Sequence, residues 1–585
     1  DEVDGVLSVV VRGSVPLGVQ YGAYHVLELA GWRPYTPYRD HRPAVIDAAG
    51  LRAALSEIEG RTFAPEIDLR GLHLHTLHPT EALFDFWAPA DTERARRVID
   101  WLVKNRANYL QWCALKDIED PERYAGWESF TREVIDYAHA RGLSVGLNTQ
   151  LFASSSLQNA YLTTDRESLD FLEDLPFDLV NLSFGEFLGN DPQRFVDELG
   201  RMTAMIKEVR PATEVSATVH VGNFENLRVE YEGENLLYYF LVKFVPDVIP
   251  WVHTVMYYNL YEDAGGAYLH DEFDEHRQFL LERLASGEPV GYFPESAYWI
   301  AFDNSVPLYL PLYIRSRWLD MQNTAQHSGS PLGQHVLFSS GWEWGYWQND
   351  YLTLRMNFEL PGEWRKAVAE MLGPLGERGR RFADAIDTLV DIQHLYLIEK
   401  RLAAYLAGVD FYIESGKYAG IVSQPTRVLV DEAAKLSGAE ADDFRATVLD
   451  PLEELASRLE ELTSGLPPWD QADSPWLEEI RDGVEIDALR ARYVELVYRA
   501  VLDGDGTLLD RARDLLERAG LVVARRHANL HYPAGELVLS ETENPTIYPF
   551  GYLKQAHTLC LWRRELVKAE NALGHPLQQV PWCID

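Results

Sequence analysis

Two glutamates stand just past the ends of apolar, strand-like runs. The stretch from Asp178 to Asn190 reads DLVNLSFGEFLGN, a mainly apolar run that stops at Gly185 and is followed by the acid Glu186. Pro289 to Ser296 reads PVGYFPES and delivers Glu295 in the same way. One such acid is explained by a helix cap or an ion pair; two that face each other across a cleft could do chemistry. Carboxyl groups about 5 to 5.5 Å apart serve as proton donor and nucleophile in breaking a glycosidic bond, and at about 6.5 to 9.5 Å as acid and base with a water between them.

For the two acids to meet, distant segments must be brought to one rim. From about residue 69 to 340, eight β-rich runs alternate with helical patterns: LRGLHLHT from Leu69, NYLQWCA from Asn108, LSVGLNT from Leu143, DLVNLSF from Asp178, EVSATVH from Glu214, HTVMYYNLY from His253, PVGYFPE from Pro289 and HVLFSS from His335. Between them, stretches such as DTERARRVIDWLVKN and DPQRFVDELGRMTAMIKEV carry apolar residues at i, i+3 and i+4 with acids near their starts, which predicts amphipathic helices. Eight evenly spaced βα units predict a closed (β/α)₈ barrel over residues 66–358. Residues 1–65 hold the β-run VLSVVVRG and a helix ending at Gly31, read as a small α/β domain, and residues 359–585 read as an all-α domain.

In such a barrel the site is built from the loops beyond the strands' C-terminal ends. Those positions gather His73, His75 and His78; Gln111 and Trp112, then Lys116 and Asp117; Asn148 and Gln150; Glu186; His220 and Asn223; Tyr257, Tyr258, Asn259, Glu262 and Asp263; Glu295, Tyr298 and Trp299; and Trp342, Glu343, Trp344, Trp347 and Asp350. Flat aromatic faces pack on sugar C–H surfaces, and amides read hydroxyls. The expectation is a glycoside hydrolase. Glu186 would protonate the leaving oxygen and Glu295 attack the anomeric carbon or stabilise its charge. His73, His75, Asn148, His220, Tyr257 and Asn259 would bind hydroxyls, and Trp299, Trp342, Trp344 and Trp347 would wall the subsites. Glu343 would bind a hydroxyl or act as base. This chemistry needs no cofactor and no metal.

The histidines support a rival. His73 and His75 lie two apart on a strand and so share a face, and with His220 they match the metal-ligand layout of amidohydrolase barrels. Against it, His253 is read at the start of the sixth run, the wrong end for a ligand, and no Asp closes the eighth. A non-catalytic carbohydrate-binding barrel is the third reading.

Composition narrows the partners. With 53 basic against 91 acidic residues the formal charge is −38, which repels nucleic acid and anionic membranes. No apolar run is long enough to span a bilayer, and the acidic start DEVDG lacks a signal peptide's basic region, so the compartment is left open. Cys113, Cys560 and Cys583 are too scattered to indicate a disulfide framework or a zinc knuckle.

YGAYHVLELAGWRPYTP, the RG of DLRGLHLHT and an acid after strand four resemble the architecture shared by bacterial α-glucuronidases and β-hexosaminidases. The resemblance implies a small α/β domain ahead of a catalytic barrel and, from the α-glucuronidases, a helical C-terminal region. It maps the family's general acid onto Glu186. Gly185 stands where β-hexosaminidases carry the Asp that orients an acetamido group, so that assistance is not implied. Glu295 matches the nucleophile of the glycosidase clan with acids after strands four and seven, although the Asn that precedes that clan's acid is absent here. An α-glucuronidase-like inverting scheme leaves the base among Glu262, Asp263, Glu295 and Glu343.

Overall fold

The structure is a computed structural model that describes residues 2–3, 6–74, 92–114, 121–151, 161–162, 166–184, 191–223, 225–296, 307–339, 344–407, 427–468, 474–529 and 559–581. Eight parallel strands form a closed ring: β1 (Leu69–Leu74), β2 (Tyr109–Cys113), β3 (Ser144–Leu151), β4 (Leu179–Ser183), β5 (Glu214–Val219), β6 (Ile249–Thr254), β7 (Gly291–Pro294) and β8 (Gln334–Ser339). Each pairs with the next in chain order, and β8 pairs back onto β1. Carrying the register round the ring from His73 passes Gln111, Gly146, Leu179, Glu214, Asp247, Gly287 and Ser330 and returns at Pro65. The stagger, 73 minus 65, is eight residues, the shear at which eight strands enclose a side-chain-filled interior.

Residues side by side in a parallel ladder share a face, so the register separates inside from outside. Leu72, Leu74, Leu110, Val145, Val180 and Leu182 point outward into one apolar core with the surrounding helices. Those helices include α1 (Pro16–Leu29), α2 (Thr92–Lys104), α3 (Pro121–Arg141) and α4 (Pro192–Val209). In α2 the buried Val98, Ile99, Leu102 and Val103 form one stripe, with Glu93 in the first turn and Lys104 in the last, as the helix dipole favours. Then come α5 (Asp274–Ser286), α6 (Leu312–Ser328) and α7 (Tyr346–Phe358).

Three local expectations change. Strand six is Ile249–Thr254, so the run from Val255 to Tyr261 is a connecting loop; it reads as strand because Val255, Met256, Tyr257, Tyr258 and Leu260 are buried. The fifth crossover carries a hairpin (Arg228–Tyr231 with Glu234–Leu237) and a 3₁₀ turn (Tyr238–Phe244). Of VLSVVVRG only Val6–Leu7 pairs, with Glu2–Val3, and Val9 and Val10 are exposed.

Beyond the barrel the described residues are helical, in α8 (Trp364–Leu372), α9 (Gly376–Gln393), α10 (Asp450–Gly465), α11 (Pro475–Asp503), α12 (Thr507–Ala528) and α13 (Cys560–Ala572). One apolar cluster runs without a break from the aromatic side of the barrel, through α6 and α7, into these helices. Cys560 is disulfide-bonded, a crosslink the scattered cysteines gave no sign of. Among the described residues no helix is long and apolar enough to cross a membrane.

Candidate active site

The barrel interior is polar on one side and aromatic on the other. Inward positions of β1 to β5 carry His73, Gln111, Cys113, Asn148, Asn181, Ser183, Ser216 and Thr218, joined across neighbouring strands. Tyr109 Oη donates to Gln111 Oε1 (2.6 Å), which turns the Gln111 amide N–H toward His73 Nδ1 (3.1 Å). Nδ1 therefore accepts, and the imidazole carries its proton on Nε2, 3.7 Å from Cys113 Sγ. The thiol faces Asn148 Oδ1 (3.5 Å), and Asn148 Nδ2 donates to Asn181 Oδ1 (2.6 Å) and Ser183 Oγ (2.9 Å). Asn181 in turn donates to Ser216 Oγ (2.8 Å). Two glycines make room for this layer: a Cβ on Gly71 would lie 1.9 Å from the Tyr109 carbonyl oxygen, and one on Gly146 would lie 1.8 Å from Tyr109 Oη.

On β6 to β8 the interior is filled by Trp251, Phe293 and Phe338, and into it project His253 and Glu295. Glu295 follows β7 by one residue and is 4 % exposed. Its Oε2 accepts the Met256 N–H at 2.6 Å, and its Oε1 lies 3.3 Å from His253 Nε2. Burial pushes the Glu295 carboxyl up to about 8, against the opposing pull of the Met256 N–H and the Arg317 guanidinium. Burial likewise pushes the His253 imidazole down to about 4. His253 Nδ1 donates to the Phe293 carbonyl (2.7 Å), so Nε2 is the acceptor, and at neutral pH the pair is a protonated carboxyl donating to a neutral imidazole.

Several groups hold this pair. Met256 is a non-glycine residue in the left-handed region (φ 56°), a strained conformation that aims its N–H at Glu295. Arg317 of α6, fully buried, donates to Thr254 Oγ1 (3.0 Å), Tyr292 Oη (3.1 Å) and the Tyr258 carbonyl. Asp350 of α7 accepts from Ser296 Oγ (2.8 Å) and Ser339 Oγ (2.6 Å), tying the ends of β7 and β8 together. The His220 ring, one residue past β5, lies 4.8 Å from that of His253 between centroids.

The remaining candidates divide. His73 and Asn148 sit on the polar floor. Asn259 is committed to its own loop, donating to Glu262 Oε2 (2.8 Å) and accepting from the Tyr261 N–H (2.9 Å), and Tyr257 is buried against Tyr258 and Tyr313. Glu262 is an anchor: despite its burial, hydrogen bonds from Arg315 and His394 hold its carboxyl far below the usual range. Asp263 pairs with Arg401. Trp344 and Trp347, expected to wall the mouth, are packed into the core under the C-terminal helices. Trp347 packs at an angle against Tyr35 and edge-on against Trp476 and donates to Glu479 (2.7 Å), while Trp344 lies under Arg526. Glu186, His75, Trp299, Trp342 and Glu343 lie outside the described residues.

Sequence reasoning missed His253, because the sixth strand was begun too late, and missed the polar layer, although its signal was present. Gln111 and Cys113, Asn148 and Gln150, Asn181 and Ser183, and Ser216 and Thr218 occupy alternate positions of four successive strands. As for a metal, the ring nitrogens of His73 and His253 are engaged by protein partners, and among the described residues no three His, Cys, Asp or Glu side chains converge as a binding group.

No protein-family model matches the chain, and no curated protein matches its sequence. Solved structures do. A GH138 enzyme targeting the pectin rhamnogalacturonan II is similar over 90 % of this chain and 88 % of its own, with a TM-score of 0.51 and 14 % identity. A GH89 enzyme from Clostridium perfringens, in complex with its substrate GlcNAc-α-1,4-galactose, is similar over 97 % of this chain and 69 % of its own, with a TM-score of 0.52 and 9 % identity. The chain shares their fold.

Proposed function

We propose that this protein is a glycoside hydrolase in which Glu186 and Glu295 are the working carboxyl pair. The observation that carries the proposal is Glu295: a carboxyl one residue past β7, cut off from water and aimed by the Met256 N–H and His253 at the C-terminal end of the barrel. Glu186 follows the end of β4 by three residues in the sequence. The shared fold of two carbohydrate-active enzymes supports this reading, and the Clostridium perfringens enzyme was captured with its substrate as a variant carrying two Glu to Gln changes.

In this scheme Glu186 protonates the departing oxygen. Glu295 acts as carboxylate toward the anomeric centre or its water in the fraction of molecules that has released the proton it holds at rest, with the neutral His253 Nε2 lying 3.3 Å from its Oε1. The Met256 N–H stabilises the anion that remains. The polar wall of β1 to β5 supplies amide and hydroxyl groups for sugar hydroxyls, with His220 at its edge.

The test is kinetic. On a panel of p-nitrophenyl glycosides, Glu186→Gln and Glu295→Gln each lower kcat by about 10² to 10⁴. NMR of the first-formed product anomer then distinguishes a covalent from a water-mediated displacement. Near wild-type rates in both variants would end the proposal.

A further inference from the structure

We infer that helix α11 of the C-terminal domain is a positioning element of the barrel mouth. Glu479, Gly483 and Asp487, spaced four residues apart and so on one stripe, fix the segments that continue from β7 and β8. Tyr309 and Trp344, on those two segments, form a parallel bridge. Asp487 Oδ1 accepts the Tyr309 N–H (2.9 Å), and Gln393 of α9 donates both to the Tyr309 carbonyl (2.7 Å) and to Asp487 Oδ2 (3.1 Å). On the other segment Glu479 accepts the Gly345 N–H (3.3 Å) and the Trp347 indole N–H (2.7 Å). Between the two acids the Tyr309 side chain packs against Gly483, where a Cβ would fall 2.5 Å from Tyr309 Cγ.

Each member is expensive for stability alone. Glycine inside a helix costs roughly 0.5 to 1 kcal/mol relative to alanine, and a buried carboxyl is a poorer core filler than an apolar side chain. Both acids are 3 % exposed. What they supply is direction, because their partners include two backbone N–H groups and an indole N–H of these segments, with the Gln393 amide on Asp487 and the Arg526 guanidinium beside Glu479. From the clamp the chain runs on after Tyr309 into α6, whose Arg317 donates to Thr254 Oγ1 and the Tyr258 carbonyl, and after Trp344 into α7, whose Asp350 accepts from Ser296 and Ser339. Displacing the clamp therefore shifts the two helices that hold the surroundings of Glu295 without touching a reacting group.

The test compares Gly483→Ala and Asp487→Ala with Asp487→Asn, which keeps the acceptor for Tyr309, and with Arg499→Ala, which removes an α11 contact to Glu453 far from the mouth. Two quantities are read well below each variant's Tm: amide hydrogen exchange of residues 308–310 and 344–348, and kcat and KM for the p-nitrophenyl glycoside the wild type cleaves fastest, the second resting on the proposed activity. Gly483→Ala and Asp487→Ala speed exchange in both segments and lower kcat/KM by about tenfold or more, mainly through kcat, as small misplacements around a reacting group do. Asp487→Asn recovers most of this, and Arg499→Ala lowers Tm alone. Unchanged exchange in the first two variants, or the same change in Arg499→Ala, overturns the inference. A wild type that cleaves no glycoside refutes the proposed activity, and the exchange comparison then decides the positioning role by itself.

Discussion

A carboxyl group cut off from water and facing a neutral imidazole keeps its proton at neutral pH, and Glu295 is in that position, with its ionisation pushed up to about 8. If it works as carboxylate, the free enzyme is active only in the fraction that has lost this proton, so kcat/KM rises with pH and is half-maximal near 8. A profile that falls through the same region would make Glu295 the proton donor and reverse the two roles. Residue type and turn pattern were enough to place Glu295 just past the end of a strand from the sequence. Its partner His253 was hidden because the buried loop after β6 is as apolar as a strand. Trp344 and Trp347 were misjudged for a different reason: what covers them is α11, more than 125 residues further along the chain, and no local pattern carries that information.

At the scale of elements, the rhythm of βα units was legible because each helix and strand must bury its own face, whatever the chemistry. The fifth crossover was not, since a hairpin and a 3₁₀ turn leave no 3.6-residue period to read. How α1 is fastened was equally invisible. Its Glu28, 6 % exposed, receives Arg355 of α7 (2.7 Å) and Arg106 of the turn before β2 (2.7 Å), and these guanidinium groups outweigh burial and hold the carboxyl well below its usual range. Glu28→Gln leaves two buried cations half compensated and lowers the unfolding free energy by about 3 to 5 kcal/mol, read from urea titration. A loss below about 1 kcal/mol would show that water reaches the cluster. Inside the barrel, Gly146→Ala drives a methyl into Tyr109 Oη and costs about 1 to 3 kcal/mol as overpacking, with kcat/KM falling as the Gln111 and His73 chain shifts.

For the whole molecule, two sets of buried groups pull stability in opposite directions as pH falls. His73, His276 and His335 are pushed down to about 3 and His253 and His270 to about 4, in each case chiefly by burial. Below about 6.5 the unfolded chain takes up protons that these five imidazoles refuse, so their contribution is lost as pH falls toward 3 to 4, at about 1.4 kcal/mol per unit for each. Glu295, Asp320, Asp482 and Asp487 act the other way. Burial raises them, Glu295 to about 8, Asp320 and Asp482 to about 6 and Asp487 well above its ordinary value, so the folded protein keeps protons that the unfolded chain releases. From pH 7 to 5 the acids offset part of the histidine loss, so Tm falls only gently. Below about 4.5 the same carboxyls protonate in the unfolded chain as well, and their gain stops growing. The histidines continue to lose, and Glu28 and Glu262, held charged by their Arg partners, begin to lose too. Calorimetric scans from pH 8 to 3 therefore show a Tm that falls gently from about pH 6.5 and steepens near 4.5. A steep fall already between pH 7 and 5.5 would mean that the acids do not hold their protons, and with them would go the protonated Glu295 on which the alkaline rise in activity depends.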